Sequence, residues 1–159
     1  MIEGTINCFS LPAAVADAAY LGNLVDVRKF LSEAGAVNSR CLDRDHGTLL
    51  LAAAVGGQAG LMRFLLNRRA TVDQENSVGL TPLQAAACQQ HGNEETIKML
   101  IEAGANVEAS NPRDGTTALL CAAYYGKLDC LEHLVAKGAN LNAQTHVRRG
   151  PAAAWRRGA

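Results

Sequence analysis

Aromatic residues make up only 4% of this chain, proline occurs four times, and neither sign of charge prevails. The shortage of aromatic and β-branched runs excludes a sandwich or barrel, whose strands need such side chains on a pleated surface. Lys plus Arg and Asp plus Glu each number 15, so no bulk field draws the chain to nucleic acid or anionic lipid. No apolar run approaches the roughly 20 residues that a helix needs to cross a bilayer. Met1 to Leu11 carries Glu3 and no basic residue before its apolar positions, which makes a poor secretory signal. The five cysteines, Cys8, Cys41, Cys88, Cys121 and Cys130, form no Cys-x-x-Cys pair. That usage reads as reduced thiols in the cytosol or nucleus.

Catalytic patterns are equally scarce. The glycines follow neither Gly-x-Gly-x-x-Gly nor Gly-x-x-x-x-Gly-Lys order, so no phosphate cradle is expected. Cys88-x-x-His91 has metal-like spacing but no second ligand pair at finger distance. Asp129 and His133 stand four apart on one expected helix with no nucleophile beside them, a surface pair rather than a base. Arg148, Arg149, Arg156 and Arg157 could touch phosphate, but without aromatic interleaving they give only a weak nucleic-acid signal. The chain is expected to be no enzyme and to need no cofactor or metal.

What the chain does have is small: alanine, leucine and well-placed glycine. Three segments repeat at nearly fixed distance: Gly47-Thr48-Leu49-Leu50-Leu51-Ala52-Ala53-Ala54, Gly79-Leu80-Thr81-Pro82-Leu83-Gln84-Ala85-Ala86-Ala87, and Gly115-Thr116-Thr117-Ala118-Leu119-Leu120-Cys121-Ala122-Ala123. Thr48 and Thr81 are 33 residues apart, Thr81 and Thr117 are 36 apart, and a period of this size signals stacked supersecondary units. Each segment precedes a second apolar stripe at helical spacing, such as Leu61-Phe64-Leu65-Leu66 or Leu128-Leu131-Leu134-Val135. A Gly-Ala step or its remnant then follows, at Gly35-Ala36, Arg69-Ala70, Gly104-Ala105 and Gly138-Ala139.

These spacings predict one structural unit. Thr81 caps a helix whose first turn holds Pro82, where a missing N–H costs nothing. Alanines let a second helix approach closely, and glycines end both helices. Polar stretches such as Asn106 to Asp114 then project as hairpins or loops. Stacked units expose a long surface and no deep pocket, which favours binding over chemistry.

The pattern Thr-Pro-Leu-x-x-Ala-Ala, Gly, apolar helix, Gly-Ala-x-Val/Leu-Asn/Glu-Ala resembles the ankyrin repeat. Thr81 to Ala109 and Thr117 to Ala143 match it well, and Thr48 to Asp73 matches with Arg69 in place of glycine. Pro12 to Asn38 is similar to an N-terminal capping repeat. The resemblance implies an all-α, ankyrin-type solenoid of stacked helix-turn-helix units with projecting hairpin loops over residues 12–145. Its units span about 12–43, 44–75, 76–111 and 112–145, after an extension at 1–11. Residues 146–159 hold either a truncated fifth repeat or a divergent cap. The segment Cys88-Gln89-Gln90-His91 puts four residues where the pattern has two, so the first helix there is expected to be longer or its turn wider.

The resemblance also implies that another protein binds the concave side, through positions the repeat leaves free. Those are Asp45, His46 and Val55; Ser77, Val78, Leu80, Gln84, Cys88 and Gln89; and Arg113, Asp114, Thr116, Leu120, Tyr124 and Tyr125, with Arg148 and Arg149 at the next tip. Adjacent tyrosines offer large amphipathic area at low entropy cost. Tyr124 and Tyr125 therefore either meet a partner, with Arg113 as charged neighbour, or pack on the stack. Asn142, eight residues after Leu134, matches the position hydroxylated by an asparaginyl hydroxylase in ankyrin proteins. The expectation is a monomeric adaptor, scaffold or inhibitor in the cytosol or nucleus, or else a regulatory segment of a larger enzyme or channel.

Overall fold

Threonine starts three of the helices, each through the same hydrogen bond. Thr48, Thr81 and Thr117 stand in extended conformation, and each hydroxyl accepts the backbone N–H three residues on, at Leu51, Gln84 and Leu120. At Thr81 the Gln84 side chain returns the bond to the Thr81 N–H, closing a capping box. The computed structural model describes residues 11–33, 35–41, 47–89 and 94–146. Among them are eight helices: α1 (Ala13–Tyr20), α2 (Leu24–Ser32), α3 (Leu49–Val55), α4 (Ala59–Asn67), α5 (Pro82–Cys88), α6 (Glu94–Glu102), α7 (Ala118–Tyr124) and α8 (Leu128–Ala136). Isolated antiparallel bridges join Arg40 to Thr48 and Ser110 to Thr117 at the hairpin bases.

The helices pair as antiparallel hairpins, and the pairs stack. First helices form one layer, α1 on α3 on α5 on α7, and behind them α4 packs on α6 and α6 on α8. Alanine is the reason the first layer is tight. Ala52, Ala53, Ala85, Ala86, Ala87 and Ala122 are fully buried, and with only a methyl each they bring helix axes close. Leu50, Leu83, Leu65, Leu100 and Leu134 fill the space between layers. The fold is the all-helical stack expected from the repeat pattern.

Close approach reaches backbone at the end of α3. Gly56 ends α3 against the carbonyl of Tyr20 at the end of α1, with no room for a Cβ. Gln58 donates its Nε2 hydrogen to that same carbonyl at 3.1 Å. Farther along, the loops after the second helices are tied by a repeated bond. Thr71 N–H donates to Asn38 Oδ1 at 2.7 Å, Asn106 N–H to Asp73 at 3.1 Å, and Asn140 N–H to Glu108 Oε1 at 2.8 Å. Each joins one unit to the next, so the hairpins are held in register along the stack.

Two departures from the repeat have structural outcomes. The helix before the four-residue segment is not longer: α5 has seven residues, as have α3 and α7. Gln89 instead leaves the helix in extended conformation (φ −72°, ψ 137°), while Gln90 to Asn93 lie outside the described residues. Arg69 holds φ at +62° where the matching Gly104 and Gly138 hold +90° and +89°. A Cβ in that region is strained. Arg69→Gly is therefore expected to stabilise the fold by about 1 kcal/mol, read as a higher urea midpoint; an unchanged or lower midpoint would show the strain to be negligible.

Candidate functional site

The positions proposed as free divide into those on the surface and those built into the stack. Ser77 and Arg113 are exposed at hairpin tips, with Val78 and Asp114 half-buried beside them. Val55, Gln89, Leu120 and Tyr125 are half-buried along the first helices, and Tyr124 is 56% exposed. Asp45, His46, Arg148 and Arg149 lie outside the described residues.

Four of the expected contact residues are buried, and each for a visible reason. Leu80 is 3% exposed and fills the base of its hairpin, where its N–H donates to Asn76 Oδ1. Thr116 is 2% exposed; its carbonyl accepts from Asn111 N–H and from Gln84 Nε2. Gln84 is 1% exposed and spans two units, donating to the carbonyls of Ala109 at 2.8 Å and Thr116 at 2.9 Å. Cys88 faces Cys121 across α5 and α7. All five cysteines were expected as reduced thiols; the structure joins this pair in a disulfide, with Cα atoms 5.0 Å apart. Cys41 and Cys130 are free and buried.

Arg113 does not pair with the tyrosines. Its Nη2 donates to the Ser77 carbonyl at 2.7 Å, and its N–H donates to Asn111 Oδ1 at 2.9 Å. The guanidinium thus braces one hairpin against the preceding one. Asp114 Oδ1 accepts the Thr116 N–H, and its carbonyl accepts from His146 N–H at 2.7 Å. Tyr124 and Tyr125 meet edge to face, centroids 5.1 Å apart, a favoured aromatic arrangement.

Tyr124 and its neighbours are more exposed than most of their counterparts in the repeat register. Counted from the capping threonines, Tyr124 matches Cys88, Leu120 matches Gln84 and Leu51, and Ala123 matches Ala87 and Ala54. Val55, which shares the Tyr124 and Cys88 position, is half-buried, and the other inner members are 4% exposed or less, whereas Leu120 is half-buried and Ala123 and Tyr124 are exposed. The second helices agree: Met62 and Ile97 are fully buried, while the matching Leu131 is half-buried. In the loops Leu141 is 70% exposed where Val72 and Val107 are half-buried. The fourth unit therefore presents a broad apolar surface. Ala123 and Leu141 were not singled out from sequence, though position-by-position alignment of the repeats was a signal for both; Leu128, read there as part of an apolar helix stripe, is 71% exposed.

Ion pairs run along and between the second helices. Arg63 pairs with Glu95 at 2.9 Å, Glu94 pairs with Lys98, and His133 Nε2 lies 3.7 Å from Glu94. The hydrogen bond from Lys98 and its charge hold the Glu94 carboxyl below its usual range. Arg28 and Arg68 both lie over the Phe64 ring, at 5.0 and 4.9 Å. His133 Nδ1 meets the backbone carbonyl of Asp129 at 2.8 Å. Burial pushes the Cys130 thiol up and Lys127 down. No group of three His, Cys, Asp or Glu among the described residues could hold a metal ion, and no helix there is long and apolar enough to cross a membrane. Asn142 is exposed, and its N–H donates to Asn140 Oδ1. It matches Asn38, Asp73 and Glu108, the acceptors that join one unit to the next.

Comparison with known proteins agrees with this architecture. The family model described as ankyrin repeats (3 copies) matches residues 15–111 and 49–145. Over 138 residues the chain is 35% identical to "Probable E3 ubiquitin-protein ligase XBOS31" of Oryza sativa subsp. japonica, covering 87% of this chain and 29% of that protein. It is 40% identical over 111 residues to human "Ankyrin repeat and KH domain-containing protein 1", covering 69% and 4%. It is 34% identical over 108 residues to the Caenorhabditis elegans "Transient receptor potential cation channel subfamily A member 1 homolog", covering 67% and 9%. The chain thus spans less than a third of each of these relatives. Ankyrin repeats are non-catalytic protein-interaction modules, and with its stacked helix pairs, threonine caps and matching family model this chain belongs to the ankyrin repeat family.

Proposed function

We propose that the chain is a monomeric, non-enzymatic module of the cytosol or nucleus that binds another protein as an adaptor, scaffold or inhibitor. Contact runs along the hairpin tips at Ser77, Arg113 and Asp114 and over the first-helix side at Val55, Gln89, Leu120, Tyr124 and Tyr125. The observation that carries this reading is Tyr124, 56% exposed at the end of α7 and set edge to face against Tyr125. Tyrosines of this kind anchor interfaces because they bring area and a hydroxyl with only two torsions to freeze. The ties between hairpins pre-order the surface, which lowers the entropy lost on association.

The test begins with a partner captured by the full chain. Alanine at both Tyr124 and Tyr125 is expected to weaken that partner about thirtyfold, the equivalent of roughly 2 kcal/mol, with helicity unchanged by circular dichroism. Equal affinity in a folded variant would remove the tyrosines from the interface.

A second reading makes the chain a regulatory or targeting segment of a larger enzyme or channel. It is supported by relatives that include a named ligase and a named channel, each far longer than the matched region. Transcripts that continue the reading frame into catalytic or membrane-spanning sequence would decide for it.

A further inference from the structure

Two buried sulfurs meet where the repeat does not require them. Cys88 is the last residue of α5, Cys121 lies within α7, and they are 4% and 0% exposed. Their Cα atoms are 5.0 Å apart, inside the window of about 4.4–6.8 Å that a disulfide spans without backbone movement. One unit earlier the same two positions hold Val55 and Ala85, so packing is satisfied there without sulfur.

We propose that Cys88 and Cys121 form a reversible thiol–disulfide lock between the third and fourth helix pairs. The oxidant is a small-molecule disulfide of the glutathione type. Cys88 thiolate attacks it, forms a mixed disulfide and releases one thiolate. Cys121, after losing its proton, attacks the Cys88 sulfur and releases the second. Two protein thiols are oxidised and one small disulfide is reduced to two thiols.

Local structure gives the exchange a point of entry. α3 and α7 close with backbone N–H bonds from Gly56 and Tyr125 into their last turns. At α5, Gln89 turns to extended conformation instead, so the last turn holding Cys88 opens at lower cost. The other buried cysteines have no such arrangement: Cys41 and Cys130 are unpaired, and burial raises the Cys130 thiol, which disfavours its thiolate. A disulfide in a reducing compartment is typically transient or redox-sensing, so the open form is the resting one there. Closure adds a covalent tie between α5 and α7, whose hairpins the Arg113 bond to the Ser77 carbonyl already braces.

The test uses the full chain at graded ratios of glutathione to glutathione disulfide, quenched in acid, unfolded, alkylated and mapped by mass spectrometry. Cys88 and Cys121 are expected to lose their free thiols together and to appear as one linked peptide, with Cys8, Cys41 and Cys130 alkylated throughout. The urea midpoint should rise in step with the link, and Cys88→Ser or Cys121→Ser should abolish that rise. The mapping of the unsubstituted chain stands alone if either variant fails to fold. Free thiols at both positions at every ratio overturn the proposal. So does pairing of either cysteine with Cys8 or Cys41, or a link that leaves the midpoint unchanged.

Discussion

Gly56→Ala is expected to lower stability by about 3 kcal/mol, at the upper end of overpacking costs. An added Cβ would fall inside the van der Waals shell of the Tyr20 carbonyl oxygen and 2.9 Å from its carbon. Both are backbone atoms, so no rotamer relieves the clash. The end of α1 must instead separate from α3, and the Gln58 bond to Tyr20 is lost with it. For a chain of this size that loss lowers Tm by about 6–12 °C. Gly60→Ala is the matched control. Nothing lies within 4 Å of a Cβ at Gly60, inside α4, and the same methyl there should stabilise by about 0.5–1 kcal/mol through helix propensity. Thermal unfolding of the two variants side by side distinguishes them. Equal shifts would mean that the first helices have slack, and the account of alanine-driven close packing would fail.

Gln84→Ala is expected to cost about 3–4 kcal/mol. The side chain serves three backbone groups at once: it accepts from Thr81 N–H at 3.0 Å and donates to the carbonyls of Ala109 and Thr116. Removing it leaves these groups without that partner in a buried place, at roughly 1–3 kcal/mol for each that water cannot reach. Gln84→Leu should cost less, because leucine occupies the matching, equally buried Leu51 and restores the volume without the hydrogen bonds. Urea unfolding gives the two energies, and hydrogen exchange at the Thr81 amide reports the capping box. If the leucine variant were no more stable than the alanine one, packing would contribute nothing at this position and the ranking would be wrong.

These two sites show how far a linear reading reaches. Thr48, Thr81 and Thr117, with the alanines that follow them, marked the first helices, because a cap is a bond between neighbours in sequence. The stripes Leu61-Phe64-Leu65-Leu66 and Leu128-Leu131-Leu134-Val135 marked second helices, because spacings of three and four put side chains on one face. Gln84 is different. In sequence it is a polar residue at a position the repeat leaves free, which reads as exposed. Its partners at Ala109 and Thr116 lie a whole unit away, and only the stacking of α5 on α7 brings them within reach.

Sequence alone therefore determined the helices, their order and the solenoid they form, since each of those depends on interactions within about four residues or on a repeating period. Tertiary structure decided which free positions remain at the surface. Gln84 and Cys88 were closed off by the stacking of α5 on α7, and Leu80 and Thr116 by the hairpin bases, where Leu80 donates to Asn76 and the Thr116 carbonyl accepts from Asn111 and Gln84. Tyr124 is exposed at the end of α7 where Cys88, at the matching place in α5, is buried against Cys121, a difference that residue spacing alone does not show.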